Sequence, residues 1–209
     1  HLNCAGRCWS PARWAASPAE AADDADAVVT MVADDEASRS VWLGENGAAA
    51  KMKADSLAIE CSTVSHQHAL DMARELRARG LIYIDCPVTG LPQAAAAGKL
   101  TLLVGADAAE LERAGPYLAP IGDTIRHFGA VGTGTVYKLI NNLMGAVQIA
   151  SLAEGKPEPG EGAARRARRD QPRASRLLRG GGDEGGAGDG LRLARSRHAS
   201  VARIGRGDA

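Results

Sequence analysis

Short apolar runs of strand length alternate with amphipathic, helix-like stretches along most of this chain, and that alternation limits its possible folds most strongly. The predicted strands cover residues 26–32, 56–61, 81–85, 100–104 and 124–128. Strands that alternate with helices argue for a mostly parallel sheet covered by helices. We therefore predict an α/β fold for the segment from residue 16 to residue 130.

The clearest helix signal lies between the second and third predicted strands. Ser65 can cap a helix over residues 65–80, and Gly80 can end it. His66 and His68 stand at its start and are interpreted as exposed. The buried side of this helix is predicted to carry Leu70, Met72, Ala73 and Leu76.

The two ends of the chain differ from this middle part. Residues 131–155 are predicted to form one long, largely buried helix, because apolar residues recur in them at helical spacing. Residues 1–15 are predicted to be irregular. Residues 156–209 carry 13 Lys and Arg against 7 Asp and Glu and are rich in Gly. Such a composition cannot bury enough apolar surface to offset the entropy of ordering, so a disordered, low-order tail is predicted.

The abrupt change near Gly155 also suggests a cause at the level of the gene. We hypothesise that a frameshift lies there, because moving the reading frame by one base over residues 156–163 would continue the preceding helix. Out-of-frame GC-rich coding tends to give an Arg, Gly and Ala bias of the kind seen in residues 156–209. The amino-terminal segment is interpreted as a similar scar or a misplaced start.

The cysteines favour a reducing compartment. Cys4, Cys8, Cys61 and Cys86 include no Cys-x-x-Cys pair, so neither a disulfide framework nor a zinc site is predicted. Cys61 and Cys86 are interpreted as small buried apolar residues. No apolar run approaches the roughly 20 residues of a membrane span. A cytoplasmic chain with no bound metal and no membrane partner is expected.

Three segments carry a resemblance to a known family. Residues 85–90 read D-C-P-V-T-G and are followed by a Gly98–Gly105 segment, similar to a substrate-binding signature of the form D-A-P-V-S-G-G. Gly132-Thr133-Gly134 precedes Lys138 and Asn142 at the spacing G-x-G-x-x-x-K-x-x-x-N. Residues 30–33 and 62–63 match more weakly. The chain resembles the β-hydroxyacid dehydrogenases, the family that includes 3-hydroxyisobutyrate dehydrogenase.

The resemblance implies a partial, Rossmann-like dinucleotide-binding domain over residues 16–130. It also implies oxidation of the hydroxyl of a small 3-hydroxy acid, with hydride transfer to NAD or NADP. In the family, strand ends corresponding to Val32, Ala33 and Thr63 contact the cofactor, and Gly132 is assigned the same role. Ala33 stands where the family usually has proline. No G-x-G-x-x-G turn, whose amides would hold the cofactor pyrophosphate, occurs in residues 1–15.

The resemblance assigns Lys138 to proton transfer, and the residues support that role. Lys138 and Asn142 are four positions apart and so share one face of a helix. A partly desolvated lysine has a lowered pKa, which suits proton exchange, and the amide of Asn142 can orient the hydroxyl or the lysine. Thr89 and Gly90 would bind the substrate carboxylate, with Leu91 replacing a family glycine.

Plainer interpretations stay open. Lys138 could be a solvated residue on an apolar helix, and Thr89 could be a turn hydroxyl. The chain could be an inactive fragment that lacks both the phosphate turn and the closing helical domain of the family. The basic tail could bind nucleic acid, although it has no aromatics and no RGG repeat, so no nucleic-acid partner is expected. Intact family members assemble through the helical domain, which makes a homo-oligomer possible.

Overall fold

The computed structural model describes residues 14–155 and 200–204 of the 209-residue chain. Within them, seven strands form one sheet. The strands are β1 (Ala27–Met31), β2 (Leu57–Glu60), β3 (Ile82–Asp85), β4 (Val88–Thr89), β5 (Leu100–Gly105), β6 (Gly122–Gly129) and β7 (Ser200–Ile204). The helices are α1 (Pro18–Ala22), α2 (Asp35–Leu43), α3 (His66–Arg77), α4 (Pro92–Ala96), α5 (Ala108–Leu118) and α6 (Thr133–Gly155), with a short 3₁₀ helix at Ala48–Ala50.

The strand order is β4-β5-β3-β2-β1-β7. The remaining strand, β6, lies outside this order and pairs with β5. The pairs β1 with β2, β2 with β3 and β5 with β6 are parallel. Antiparallel pairing adds β7 to β1 and β4 to β5, while β3 meets β5 only through Asp85 and Gly105. The predicted α/β fold with a mostly parallel sheet is therefore confirmed, although β4 and α4 were not foreseen.

Both faces of the central strands are buried, as parallel sheets require. Alternate residues of β1 and β2 enter two separate core clusters, because side chains of a strand point to opposite faces. One cluster joins Val29 and Ile59 to Leu118 of α5. The other joins Val28 to Trp42 of α2 and to further apolar residues of α3. The helices therefore cover the sheet on both sides.

Helix α3 confirms the predicted cap and corrects the predicted buried stripe. Ser65 accepts a hydrogen bond from the amide of His68, as an N-cap should. Met72, Ala73 and Leu76 are buried, but Leu70 is 38% exposed. The buried stripe instead begins at His68, so the interpretation of this histidine as exposed is wrong. Cys61 and Cys86 are both buried, which confirms their interpretation.

Helix α6 forms where it was predicted, but the expectation that it is largely buried is wrong. Gly134 and Thr135, in its first turn, are buried. From Val136 to Leu152 its large apolar side chains are 37–71% exposed. An apolar sequence indicates that a helix is suited to burial, but it does not show which other element would bury it. The chain divides into two compact units, residues 1–142 with 198–209 and residues 143–197, so α6 begins in one unit and ends in the other.

Part of the tail is ordered. Residues 200–204 form β7, with Val28 opposite Arg203 and Thr30 opposite Val201 on β1. These five residues lie within the segment for which a disordered tail is predicted; composition did not indicate the strand, because a strand ladder needs backbone groups rather than apolar side chains. The predictions for residues 1–13 and for the rest of 156–209 lie outside the described residues. No helix within the described ranges is long and apolar enough to cross a membrane.

Candidate functional site

The carboxyl ends of β1 and β2 lie side by side, since the two strands are parallel neighbours. The amide of Val32 donates to Oγ of Ser62 across this edge at 2.7 Å. Val32 is half-buried, whereas Ala33 and Thr63 are exposed. Open α/β sheets bind their ligands outside the carboxyl ends of the strands. The structure therefore brings three of the four residues assigned to the cofactor to one edge.

A fully buried carboxylate, that of Glu60, lies beneath this edge. Its Oε1 accepts hydrogen bonds from Oγ1 of Thr30 at 2.8 Å and from the amide of Ser62 at 3.0 Å. Its Oε2 accepts from Oγ of Ser38 at 2.6 Å and from the indole Nε1 of Trp42 at 2.9 Å. Because Ser62 also bonds Val32, one carboxylate fixes both strand ends.

This network continues to His68. Nε2 of His68 lies 3.0 Å from Oγ of Ser38, whose own proton is already donated to Glu60. His68 must therefore donate through Nε2. Next to it, Asp35 accepts hydrogen bonds from the amide and hydroxyl of Ser65 at 2.8 and 2.5 Å. Burial acts to raise the pKa of Asp35, but these bonds and the nearby His68 outweigh it, so the pKa is lowered.

A second fully buried carboxylate, Asp85, ends the neighbouring strand β3. Its Oδ2 accepts from the amides of Gly132 and Thr135 at 3.0 and 2.9 Å, and its Oδ1 accepts from Oγ1 of Thr135 at 2.5 Å. Burial raises the pKa of Asp85, and the negative charge of Glu60 adds to this effect; the three hydrogen bonds oppose it without cancelling it. Asp85 thus holds the start of α6 against the sheet.

Two glycines let α6 approach so closely. Gly132 has a φ of +92°, and a Cβ there would lie 2.8 Å from Cε1 of His66. A Cβ on Gly134 would lie 2.2 Å from the backbone oxygen of Leu103 in β5. The glycine spacing is therefore explained by packing. The amide of Gly132 is used by Asp85, so its assignment to the cofactor stays a prediction.

Lys138 follows Thr135 by three residues on α6, and Asn142 follows Lys138 by four, so the two share one face of the helix. Lys138 is half-buried, and burial lowers the pKa of its amine. This is the direction that the sequence argument predicted. Asn142 is exposed.

The residues assigned to the substrate lie on a separate element. Thr89 belongs to β4, is half-buried and pairs with Thr101 of β5. Gly90 is exposed and has a φ of +144°, a conformation that favours glycine. Within residues 14–155, no hydrogen bond joins Thr89 or Gly90 to Lys138 or Asn142. The structure therefore does not connect these two groups directly.

Sequence reasoning missed the two buried acids as organisers of this region. Glu60 ends an apolar strand, Asp85 ends the next, and the two residues face each other in register. An acidic residue inside an apolar strand has to be hydrogen-bonded if it is buried, and that signal could have identified both. No group of three or more metal-ligating side chains that could hold an ion occurs in the part of the chain that the structure describes.

Comparison with known proteins shows the family to which the chain belongs. The family model described as the NAD binding domain of 6-phosphogluconate dehydrogenase matches residues 3–130. Mitochondrial 3-hydroxyisobutyrate dehydrogenase of Mus musculus is 36% identical over 67% of this chain and 42% of its own length. NAD-dependent L-serine dehydrogenase of Pseudomonas aeruginosa is 37% identical over 67% of this chain and 47% of its own length.

Among solved structures, Mycobacterium tuberculosis 3-hydroxyisobutyrate dehydrogenase, determined with L-serine, matches with a TM-score of 0.60 and 35% identity. The match covers 66% of this chain and 46% of that one. The chain thus spans less than half the length of each of these three relatives. The expectation of an NAD- or NADP-binding domain is confirmed by the family match, which covers well over half of the chain. The chain belongs to the β-hydroxyacid dehydrogenase family, through the NAD-binding domain that this family shares with 6-phosphogluconate dehydrogenase.

Proposed function

We propose that this chain contributes the NAD- or NADP-binding half of an oxidoreductase that oxidises the hydroxyl of a small 3-hydroxy acid. The observation that carries the proposal is the half-buried Lys138 with its lowered pKa, on a helix held at the carboxyl end of a family-typical sheet. Relatives named for 3-hydroxyisobutyrate and L-serine support this class of substrate.

The strand edge of β1 and β2 fits a nicotinamide cofactor. Ala33 and Thr63 are exposed there, and the bond from Val32 to Ser62 keeps the two strand ends together. Val32, Ala33 and Thr63 would hold the nicotinamide end of the cofactor. When bound, the cofactor would supply the acceptor for the hydride that leaves the substrate carbon.

Lys138 would take the proton of the substrate hydroxyl. A lowered pKa leaves more of the amine neutral near physiological pH, and only the neutral amine can accept a proton. Asn142, on the same helix face, would orient the hydroxyl through its amide. The hydroxyl of Thr89 and the amide of Gly90 would bind the carboxylate.

The test is to follow reduction of NAD⁺ and NADP⁺ by the purified chain with 3-hydroxyisobutyrate and with L-serine. In parallel, thermal unfolding is measured with each cofactor. A ligand at about 100 times its Kd stabilises the folded state by roughly 2.7 kcal/mol. Turnover with stabilisation supports the proposal. Stabilisation without turnover supports the alternative of an inactive fragment. The absence of both stabilisation and turnover contradicts cofactor binding by this chain. In that last case both the proposed activity and its cofactor site are overturned.

The proposed cofactor edge needs its own variant. Thr63→Val removes an exposed hydroxyl at the carboxyl end of β2, and Thr124→Val removes a half-buried hydroxyl from β6 as the control. We expect the first variant to weaken cofactor-dependent stabilisation and the second to leave it unchanged. Equal stabilisation in both variants and in the wild type contradicts the assignment of Thr63.

A further inference from the structure

Within the described residues, the carboxylate of Asp85 accepts hydrogen bonds only from the first turn of α6 and from the residue just before it. Two are donated by backbone amides, those of Gly132 and Thr135, and one by the Thr135 hydroxyl. Asp85 is fully buried, so water does not compete for these bonds. The last residue of β3 is therefore joined directly to the helix that carries Lys138.

The backbone around the hydrogen bonds of Asp85 is closely packed. A Cβ on Gly105 would lie 2.9 Å from Oδ2 of Asp85 and 3.0 Å from the amide of Gly134. The ends of β3 and β5 and the start of α6 are thus in direct contact. Lys138 lies three residues after Thr135, less than one helical turn further along the same helix. A displacement of the first turn therefore moves Lys138.

From these contacts we infer that Asp85 is a positioning residue that sets the place of Lys138 through its bonds to Thr135 and Gly132. The inference rests on the proposed role of Lys138 in proton transfer. Asp85 itself is fully buried and its carboxylate is occupied by Gly132 and Thr135, so we assign it no direct contact with substrate. Its effect on Lys138 passes through the backbone at the start of α6. The hydroxyl of Thr135 provides the side-chain hydrogen bond to Asp85.

The test measures how fast the Lys138 amine is acylated by acetic anhydride as a function of pH, using mass spectrometry on the whole purified chain. Thr135→Val removes the hydroxyl that Asp85 accepts. Thr133→Val is the matched control, because its hydroxyl lies in the same turn but donates to the carbonyl of Ala130. Thr135→Ser keeps the hydroxyl and is expected to behave as the wild type.

We expect Thr135→Val to move the acylation midpoint of Lys138 upward, because a loosened helix start gives its amine more water and removes the cause of its lowered pKa. A rise of about half a pH unit reduces acylation at a fixed pH below the midpoint by about threefold. Asp85→Asn keeps an oxygen for both amides and is expected to leave the midpoint in place. An unchanged midpoint in Thr135→Val, or an equal change in Thr133→Val, overturns the inference.

Two features keep this test decisive. If Thr135→Val fails to fold, judged by circular dichroism, Thr135→Ala removes the same hydroxyl with a better helix former. Acylation needs neither cofactor nor substrate, so a shifted midpoint without any turnover contradicts the proposed function and leaves the positioning role standing. If the chain does turn over, Thr135→Val is expected to lower kcat with little change in KM, while a merely structural loss would move neither the acylation midpoint nor kcat in the folded protein.

Discussion

The ends of β2 and β3 carry two buried carboxylates that differ in how their donors are arranged. Glu60 and Asp85 face each other in register, and both are fully buried. Each oxygen of Glu60 faces one group that can only donate, the indole of Trp42 or the amide of Ser62. In Asp85 both such groups face Oδ2, and Oδ1 faces only the hydroxyl of Thr135.

This difference determines whether each position tolerates a neutral carboxamide in place of the carboxylate. A carboxamide has one accepting oxygen and one donating nitrogen. At position 85 the nitrogen can replace Oδ1, because the Thr135 hydroxyl can also accept. At position 60 the nitrogen faces a donor in either orientation. The β2 end is therefore built for a charged or fully accepting group, whereas the β3 end tolerates a neutral one.

The largest expected effect is that of Glu60→Gln. It forces a donor against a donor in a buried site, and we expect the free energy of unfolding to fall by about 2–4 kcal/mol. Urea unfolding measures it, with Glu36→Gln as the control because Glu36 is an exposed residue of α2. A loss below about 0.5 kcal/mol would mean that water or rearrangement satisfies the site.

Asp85→Asn should have a smaller effect. The three hydrogen bonds can all be kept, so we expect the free energy of unfolding to change by about 1 kcal/mol or less at neutral pH. The same urea experiment applies. A loss as large as that of Glu60→Gln would contradict the distinction drawn between the two sites.

The stability of the folded chain should also depend on pH through Asp85. The pKa of Asp85 is raised in the folded chain from an ordinary value of 3.8. Its protonation therefore stabilises the fold fully below the unfolded pKa, and this contribution is lost as pH rises through the folded pKa. We expect the stability of the wild type relative to Asp85→Asn to decrease as pH rises above about 4. A difference that grows with pH would contradict the raised pKa.

The smallest expected effect concerns Tyr83, in the core beside the two acids. Its hydroxyl is buried without a hydrogen-bond partner among the described residues, and burial raises its pKa well above the ordinary range. Tyr83→Phe removes that unsatisfied group and should leave stability equal or higher by about 1 kcal/mol. Tyr137→Phe, at an exposed position, is the control. A clear loss in thermal unfolding for Tyr83→Phe would reveal a hidden partner.

Local signals predicted much of this fold. The cap at Ser65 and the apolar strand runs placed the start of α3 and the bounds of β1–β3 to within about one residue, because caps and periodicity are properties of neighbouring residues. The elements β4 and α4 were missed, since two- and five-residue elements carry too little pattern. The predicted burial of α6 and Leu70 and the predicted exposure of His68 were wrong, because burial depends on partners distant in sequence.

The candidate site was predicted unevenly for the same reason. The spacing of Lys138 and Asn142 on one helix face follows from local geometry, and the lowered pKa of Lys138 agrees with the sequence argument. Apart from the amide of Ser62, the hydrogen-bond partners of Glu60 and Asp85 lie 18 to 50 positions away in sequence. A motif could name Asp85, but it could not show that Asp85 holds α6.

Proton transfer by Lys138 is tested most directly by comparing Lys138→Ala with Lys99→Ala, an exposed lysine outside the site, in cofactor-dependent oxidation of 3-hydroxyisobutyrate or L-serine. We predict that kcat falls by about a hundredfold or more in Lys138→Ala, the usual contribution of a general base. Cofactor-dependent stabilisation should persist, and Lys99→Ala should match the wild type. Equal kcat values in the two variants would contradict proton transfer by Lys138 and remove the central claim of the proposed mechanism.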